Sequence, residues 1–288
     1  MVMIKKHFVF SYTNILAREF EKKNYFGFAR KIFNLFYKLL INILKKIFGF
    51  STNLDNNKTS NKVFNFSIND LFEYFNCDKG SNFQITENKR IKAHNYSVFY
   101  EKYFNKIKNE KFNFLELGSH EGKGIAAFYH FFPNAKLIGA NINPFQMRYY
   151  SNRIEEVYID VSSKKILQNF TNYFDNRFQI IIDDASHNLR DILITLPILF
   201  KKLNSGGFYV IEDINQFDVF KNLNPTREKL TPIKILKYMQ ENKSFDSDFI
   251  SKDDVNYLKE NIAEYHFEKG EMVVNGYNIS DIVFLRKR

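Results

Sequence analysis

Apolar positions along the chain recur with two periods, and their alternation sets out the architecture before any chemistry is considered. From residue 112 onward, apolar runs of strand length occur at Phe112 to Glu116, Lys136 to Ala140, Glu156 to Ile159, Phe178 to Asp183 and Phe208 to Glu212. Helical periodicity fills the gaps, including a helix that runs through Phe132 and an amphipathic one between Asp183 and Phe208. Strand, helix and strand in succession form right-handed βαβ units, so the strands are parallel and their C-terminal ends share one rim.

Upstream the pattern differs. From Phe26 to Phe48, Ile32, Phe36, Leu39, Leu40, Ile43 and Ile47 recur at helical spacing, opposite Lys31, Lys38 and Lys45, with Asn34 and Asn42. Lysines interrupt the run too often for a membrane span, which needs about 18 to 20 apolar residues. Two readings stay open: an in-plane helix in peripheral contact with anionic lipid through residues 26–48, or packing on the domain or on a second subunit, giving a homo-oligomer. Ser51 to Lys62 is polar and rich in turn formers. Short helices are expected around Ile68 to Phe75 and at Ser97 to Ile107. The resulting division is a basic amphipathic arm (1–50), a linker (51–65), a helical lead-in (66–110) and a main domain (111–288).

Charge sharpens this division. The formal net charge is +10, of which residues 1–50 contribute eight Lys and two Arg against two Glu. The main domain is therefore close to neutral, which argues against a basic groove for nucleic acid. One cysteine, Cys77, excludes an internal disulfide and a Cys-based zinc site and fits a reducing, cytoplasmic setting. The first residues lack an apolar segment followed by a small-residue cleavage site, so no signal peptide is expected.

The candidate chemistry lies at the strand ends. ELGSHEGKG follows the first strand, and Gly118, Gly122 and Gly124 allow a tight turn close to a ligand at a helix N-terminus, although the spacing is not GxGxxG. Successive strand ends carry Glu116, Asn141, Asp160 and Asp183. Asp183, Asp184, Glu212 and Asp213 gather at one rim with His187 a short turn away, and acids so placed call for a counter-charge such as a hard divalent cation. The plain alternative is that both acidic pairs, and His187, cap helices. Asp78, Lys79, His94 and Tyr96 lie just before and at the start of the 97–107 helix; alone, each reads as a surface residue.

Over roughly residues 111–288 these strand ends resemble the class I S-adenosylmethionine-dependent methyltransferases. The resemblance implies a Rossmann-like, seven-stranded, mostly parallel sheet with an N-terminal helical extension. Helices from Leu230 to Glu241 and from Lys252, and strands at Ile262 to Phe267 and Asp281 to Arg286, complete it, strand seven running antiparallel. It also implies that Glu116, Gly118, Ser119 and Gly122 belong to the cofactor loop, that Asn141 takes the ribose position in place of the usual acid, and that Asp160 and Val161 take the adenine position.

A narrower match is to magnesium-dependent sugar O-methyltransferases of macrolide and polyketide glycoside tailoring, through IDDASH, GGFYVIED, Asp78-Lys79 and His94-Asn95-Tyr96. It implies that Asp184, Glu212 and Asp213 bind Mg2+, that His187 is the general base, that Asp183 lies on the cofactor side, and that Asp78, Lys79, His94 and Tyr96 approach the acceptor. The residue types suit the task. A sugar hydroxyl is a poor nucleophile near neutral pH, and a cation that orients a diol plus an imidazole titrating near about 6.5 prepares it. The expected function is transfer of methyl to a hydroxyl of a small molecule or glycan, with the polar segment Phe217 to Lys229 covering the acceptor. The alternative is a catalytically weak or inactive binding or scaffold protein of this fold at a membrane surface; the expected location is cytoplasmic, with peripheral contact at the inner face of the membrane.

Overall fold

Seven strands form the central sheet of the computed structural model, which describes residues 6–22, 32–34, 37, 40, 41, 44, 51–56, 62–86, 89–143, 146–174 and 177–288. They are β1 (Asn113–Leu117), β2 (Lys136–Asn141), β3 (Ile154–Tyr158), β4 (Phe178–Asp183), β5 (Leu203–Ile211), β6 (Ile262–Lys269) and β7 (Asp281–Lys287). Their spatial order is β6-β7-β5-β4-β1-β2-β3. β1 to β5 pair in parallel, and β7 inserts antiparallel between β5 and β6. This is the mixed seven-stranded α/β sheet expected from the sequence. The order reverses direction between β1 and β4, and a crevice at such a switch point, outside the strand C-termini, is where open α/β sheets bind ligands.

Side chains along each strand alternate between two cores. Leu115, Leu117 and Ile181 face a cluster with Ile166 and Phe170 of α5 (Lys164–Tyr173), Ile192 and Leu196 of α6 (Leu189–Phe200), Leu236 of α7 (Pro232–Gln240) and Leu258 of α8 (Lys252–Asn261). Phe114, Ile180 and Ile182 face the opposite cluster, with Leu71 and Phe72 of α2 (Ile68–Tyr74), Tyr100 and Phe104 of α3 (Ser97–Phe104) and Phe128 of α4 (Lys123–Phe131). Local sequence fixes several helix starts. Ser67 and Asp70 form a reciprocal capping box on α2, and Ser163, Asn188 and Ser251 each accept a first-turn amide of α5, α6 and α8.

The first part of the expected arm is integrated into the body. α1 (Lys6–Glu21) packs on the outer strand β3 and on α5. Phe10 stacks on Tyr173 at 4.1 Å, the Tyr158 amide donates to Ser11 Oγ (2.9 Å), and Asn169 donates to Asn14 Oδ1 (2.8 Å). The expected helix at 26–48 lies largely outside the described residues; those described within it are helical, with Phe33, Tyr37, Leu40 and Leu44 exposed. Among the described residues no helix is long and apolar enough to cross a membrane. The segment expected to cover the acceptor begins with a helical turn, Gln216–Val219, in which Phe217 is buried.

Candidate active site

The glycine turn after β1 and the turn after β4 touch. Gly118 adopts φ +82°, and a Cβ there would stand 1.8 Å from the Asp184 carbonyl oxygen, so only glycine lets these backbones approach so closely. Beyond that contact the β4 turn presents Asp184 and His187, and the β5 end presents Glu212 and Asp213. His187 and Asp213 both take left-handed backbone conformations, at φ 51° and 53°. Such conformations cost free energy for residues other than glycine and cluster where a side chain must be aimed.

The 66–110 segment completes the site. Backbone hydrogen bonds tie His94 to Asp78 (2.9 Å), Asn95 to Gly80 (2.8 Å) and Ser97 to Lys79 (3.1 Å), which brings the two upstream motifs together. Lys79, 3% exposed, is the electrostatic centre: Nζ lies 2.5 Å from Asp184 Oδ2, 2.6 Å from Glu212 Oε2 and 3.4 Å from Glu116 Oε1. Burial alone would lower the Lys79 pKa, but these carboxylates raise it well above its ordinary value, so the amine stays charged. Tyr100 donates to Glu212 Oε1, so both Glu212 oxygens are engaged, and burial pushes its carboxyl upward against the pull of both donors.

Asp213 is held from the other side. Tyr96 donates to Oδ1 at 2.6 Å, and His94 Nδ1 lies 3.1 Å from that oxygen and 3.0 Å from Ser280 Oγ. Burial would lower the His94 pKa and raise that of Asp213; the contact between them reverses both shifts. The remaining oxygens converge. His187 Nε2 lies 3.5 Å from Asp184 Oδ1 and 4.0 Å from Asp213 Oδ2. Among the described residues, Asp184, His187 and Asp213 are the one group whose ligand atoms, all within 4.8 Å of one another, could hold a metal ion.

This grouping differs in one member from the Asp184, Glu212 and Asp213 set that the resemblance implies. Asp184 and Asp213 each direct a free oxygen to the common point, whereas Glu212 turns to Lys79 and Tyr100. Of the expected acceptor-side residues, Lys79, His94 and Tyr96 are buried and hold carboxylates, while Asp78 is exposed. Asp183 turns from this cluster, accepts from Tyr209 (3.0 Å) and is pushed up to about 6 by burial. Tyr100, Tyr209 and Ser280 were not singled out from sequence. Tyr100 had a signal, since it follows Tyr96 by one helical turn and shares its face.

At the glycine turn, Glu116 is 2% exposed, its Oε2 has no hydrogen-bond partner among the described residues, and burial pushes its pKa up to about 7. A buried, unpartnered carboxylate oxygen at a glycine turn fits a ligand that brings a cationic donor. Gly122, at φ +79°, begins α4 without a side-chain cap bond. Ser119 and Val161 are buried, and Ser119 Oγ lies 3.9 Å from Met147 Sδ. Asn141 is buried, with Oδ1 3.5 Å from the Asn143 amide and Nδ2 3.4 Å from Gln146 Oε1, both near the limit of a hydrogen bond. Both oxygens of Asp160 are engaged within the protein, Oδ2 by Arg18 and Oδ1 by Ser162.

No family model matches the chain. Curated relatives match over 128 residues: a Streptomyces olivaceus 8-demethyl-8-alpha-L-rhamnosyl tetracenomycin-C 2'-O-methyltransferase at 26% identity, covering 42% of this chain and 33% of that protein; and a Micromonospora griseorubida mycinamicin VI 2''-O-methyltransferase at 27%, covering 42% and 32%. The match thus spans about a third of the length of these relatives. Among solved structures, the MycE methyltransferase of the mycinamycin biosynthetic pathway, in complex with Mg and SAH, is similar with a TM-score of 0.56 at 20% identity over 77% of this chain and 54% of that one. Its complex with Mg, SAH and mycinamycin VI gives 0.57 at 18% identity over 81% and 63%.

Proposed function

We propose that this chain, which has the class I methyltransferase fold and resembles sugar O-methyltransferases of glycoside tailoring, is an S-adenosylmethionine-dependent O-methyltransferase assisted by Mg2+ and acting on a hydroxyl of a sugar or glycoconjugate. The observation that carries the reading is the convergence of Asp184, Asp213 and His187 beside a glycine turn whose Glu116 Oε2 lacks a hydrogen-bond partner among the described residues.

Each residue has a definable task. Glu116 Oε2 accepts from the cationic end of the cofactor, and the Asn141 amide oxygen accepts a ribose hydroxyl. Asp184 Oδ1 and Asp213 Oδ2 would hold the divalent cation, hard oxygen donors suiting Mg2+. When bound, the cofactor supplies an activated methyl group and the cation supplies charge that orients a diol and eases loss of its proton. His187 takes that proton on Nε2, and the neighbouring carboxylates offset the charge the ring gains. Lys79, Tyr96 and His94 keep the far carboxylate oxygens occupied, so that each aspartate presents one oxygen in a fixed direction.

The test is calorimetric titration with S-adenosylmethionine, then methyl transfer to a panel of sugar diols with and without Mg2+. Activity that survives both chelation and Asp184→Ala removes the metal from the proposal. Asn141, an amide where an acid is usual, favours a second reading in which the fold binds without catalysis; turnover of any hydroxyl acceptor eliminates it.

A further inference from the structure

α1 carries Arg18 to the end of β3. Arg18 Nε donates to Asp160 Oδ2 at 2.7 Å, Nη2 to Ser162 Oγ at 3.0 Å and Nη1 to Glu21 Oε2 at 2.8 Å. Glu21 also accepts from Ser163 Oγ (3.1 Å), and Arg190 of α6 donates to the Ser162 carbonyl (3.3 Å). The other Asp160 oxygen accepts from the Ser162 amide (3.0 Å) and hydroxyl (2.5 Å). Two helices, α1 and α6, therefore set one short loop, residues 160–163, through charged and hydroxyl groups.

Anchoring α1 does not require this arrangement. Phe10, Ser11 and Asn14 already dock the helix, and a part-buried ion pair adds little net stability once its desolvation is counted. What a guanidinium fork does well is fix the direction of a carboxylate and its neighbours. The loop so fixed begins at the strand end where the resemblance to class I methyltransferases implies the cofactor's adenine.

We propose that Arg18 is a positioning residue for the cofactor, holding residues 160–163 in the form that meets the adenosine end, so that docking of α1 and cofactor binding are coupled. The inference rests on the cofactor assignment above. Linkage makes the coupling reciprocal: whatever α1 contributes to binding, the bound cofactor returns as protection of α1.

The experiment uses the full chain, with S-adenosylmethionine and S-adenosylhomocysteine as probes. Titration calorimetry on wild type, Arg18→Met, Arg18→Lys and Ser162→Ala is paired with hydrogen exchange of residues 6–21. The expected result is about a tenfold weaker affinity in Arg18→Met, partial recovery in Arg18→Lys, a smaller loss in Ser162→Ala, and slower exchange of α1 in the liganded wild type only. Equal affinity of the folded Arg18→Met and Ser162→Ala variants and wild type, or α1 exchange indifferent to ligand, overturns the role of Arg18. A wild-type chain that binds neither probe overturns the cofactor assignment itself, and the inference with it.

Discussion

Lys79→Met is the most direct perturbation of the site's electrostatics. The change keeps most of the side-chain volume and removes an ammonium that three carboxylates surround, with Glu116 and Glu212 each 2% exposed. Breaking a buried ion pair by removing one partner costs about 3–5 kcal/mol, because the surviving charge is left without compensation. For a chain of this size that corresponds to a fall in Tm on the order of 10 °C. The penalty depends on pH with a definite sign. Without Lys79 the folded-state pKa values of Glu116, already about 7, and of Glu212 move further up. A carboxyl whose folded pKa lies above its unfolded value binds more protons when folded, so stability falls as pH rises between the two values. The deficit should accordingly be small near about pH 5, clearly larger at about pH 8, and still growing as pH rises further. Urea unfolding followed by circular dichroism at both values measures it, and adding Glu212→Gln to Lys79→Met should recover part of the loss. A deficit under about 1 kcal/mol, or one equal at both pH values, would refute the assignment of Lys79 as the buried counter-ion.

The remaining predictions concern ligands and the glycine turn. With Glu116 held near pKa 7 in the free protein, cofactor affinity should climb between about pH 6 and 8 as the carboxylate forms, with protons released on binding; a flat profile with buffer-independent enthalpy removes Glu116 from cofactor binding. Asp184→Asn and Asp213→Asn should each weaken Mg2+ binding at least about 100-fold, whereas Glu212→Gln should retain it. The reverse ranking in metal titrations restores Glu212 as a ligand and discards the Asp184 and Asp213 pair. Gly118→Ala places a methyl group against the Asp184 carbonyl at a positive φ, and should lower stability by well over about 1 kcal/mol and weaken Mg2+ binding together; a normal melting temperature would contradict the close approach.

Much of the sheet could be read from the sequence because parallel strands covered on both faces appear as near-continuous apolar runs, as Phe178, Ile180, Ile181 and Ile182 do. β5 was less transparent. It begins at Leu203, five residues before the expected Phe208, and its polar and glycine-rich start joins the sheet through an irregularity between Phe178 and Ile180. At the site, the four acids and His187 were legible as a group, since their positions follow from strand ends alone. Which acid faces which partner was not. A lysine in a DKGS turn reads as exposed, and only the pairing of residues 78–80 with 94–97 buries it and turns Glu212 away from Asp213. α1 was illegible for a related reason: Ser11 and Asn14 look like solvent-facing residues until the groups they meet at positions 158 and 169 are known.

The Ser11 contact also bears on how the protein behaves in a tube. β3 is the outermost strand on its side of the sheet, and the flank of such a strand is a template for pairing with another molecule. Here a hydroxyl from α1 takes the Tyr158 amide, and the helix lies against the strand. Removing α1 alone would strip this cover and bare the apolar surface beneath Phe10 and Ile15. Such a chain should precipitate or form sticky oligomers even if its sheet is intact, so α1 acts as a built-in guard against self-association.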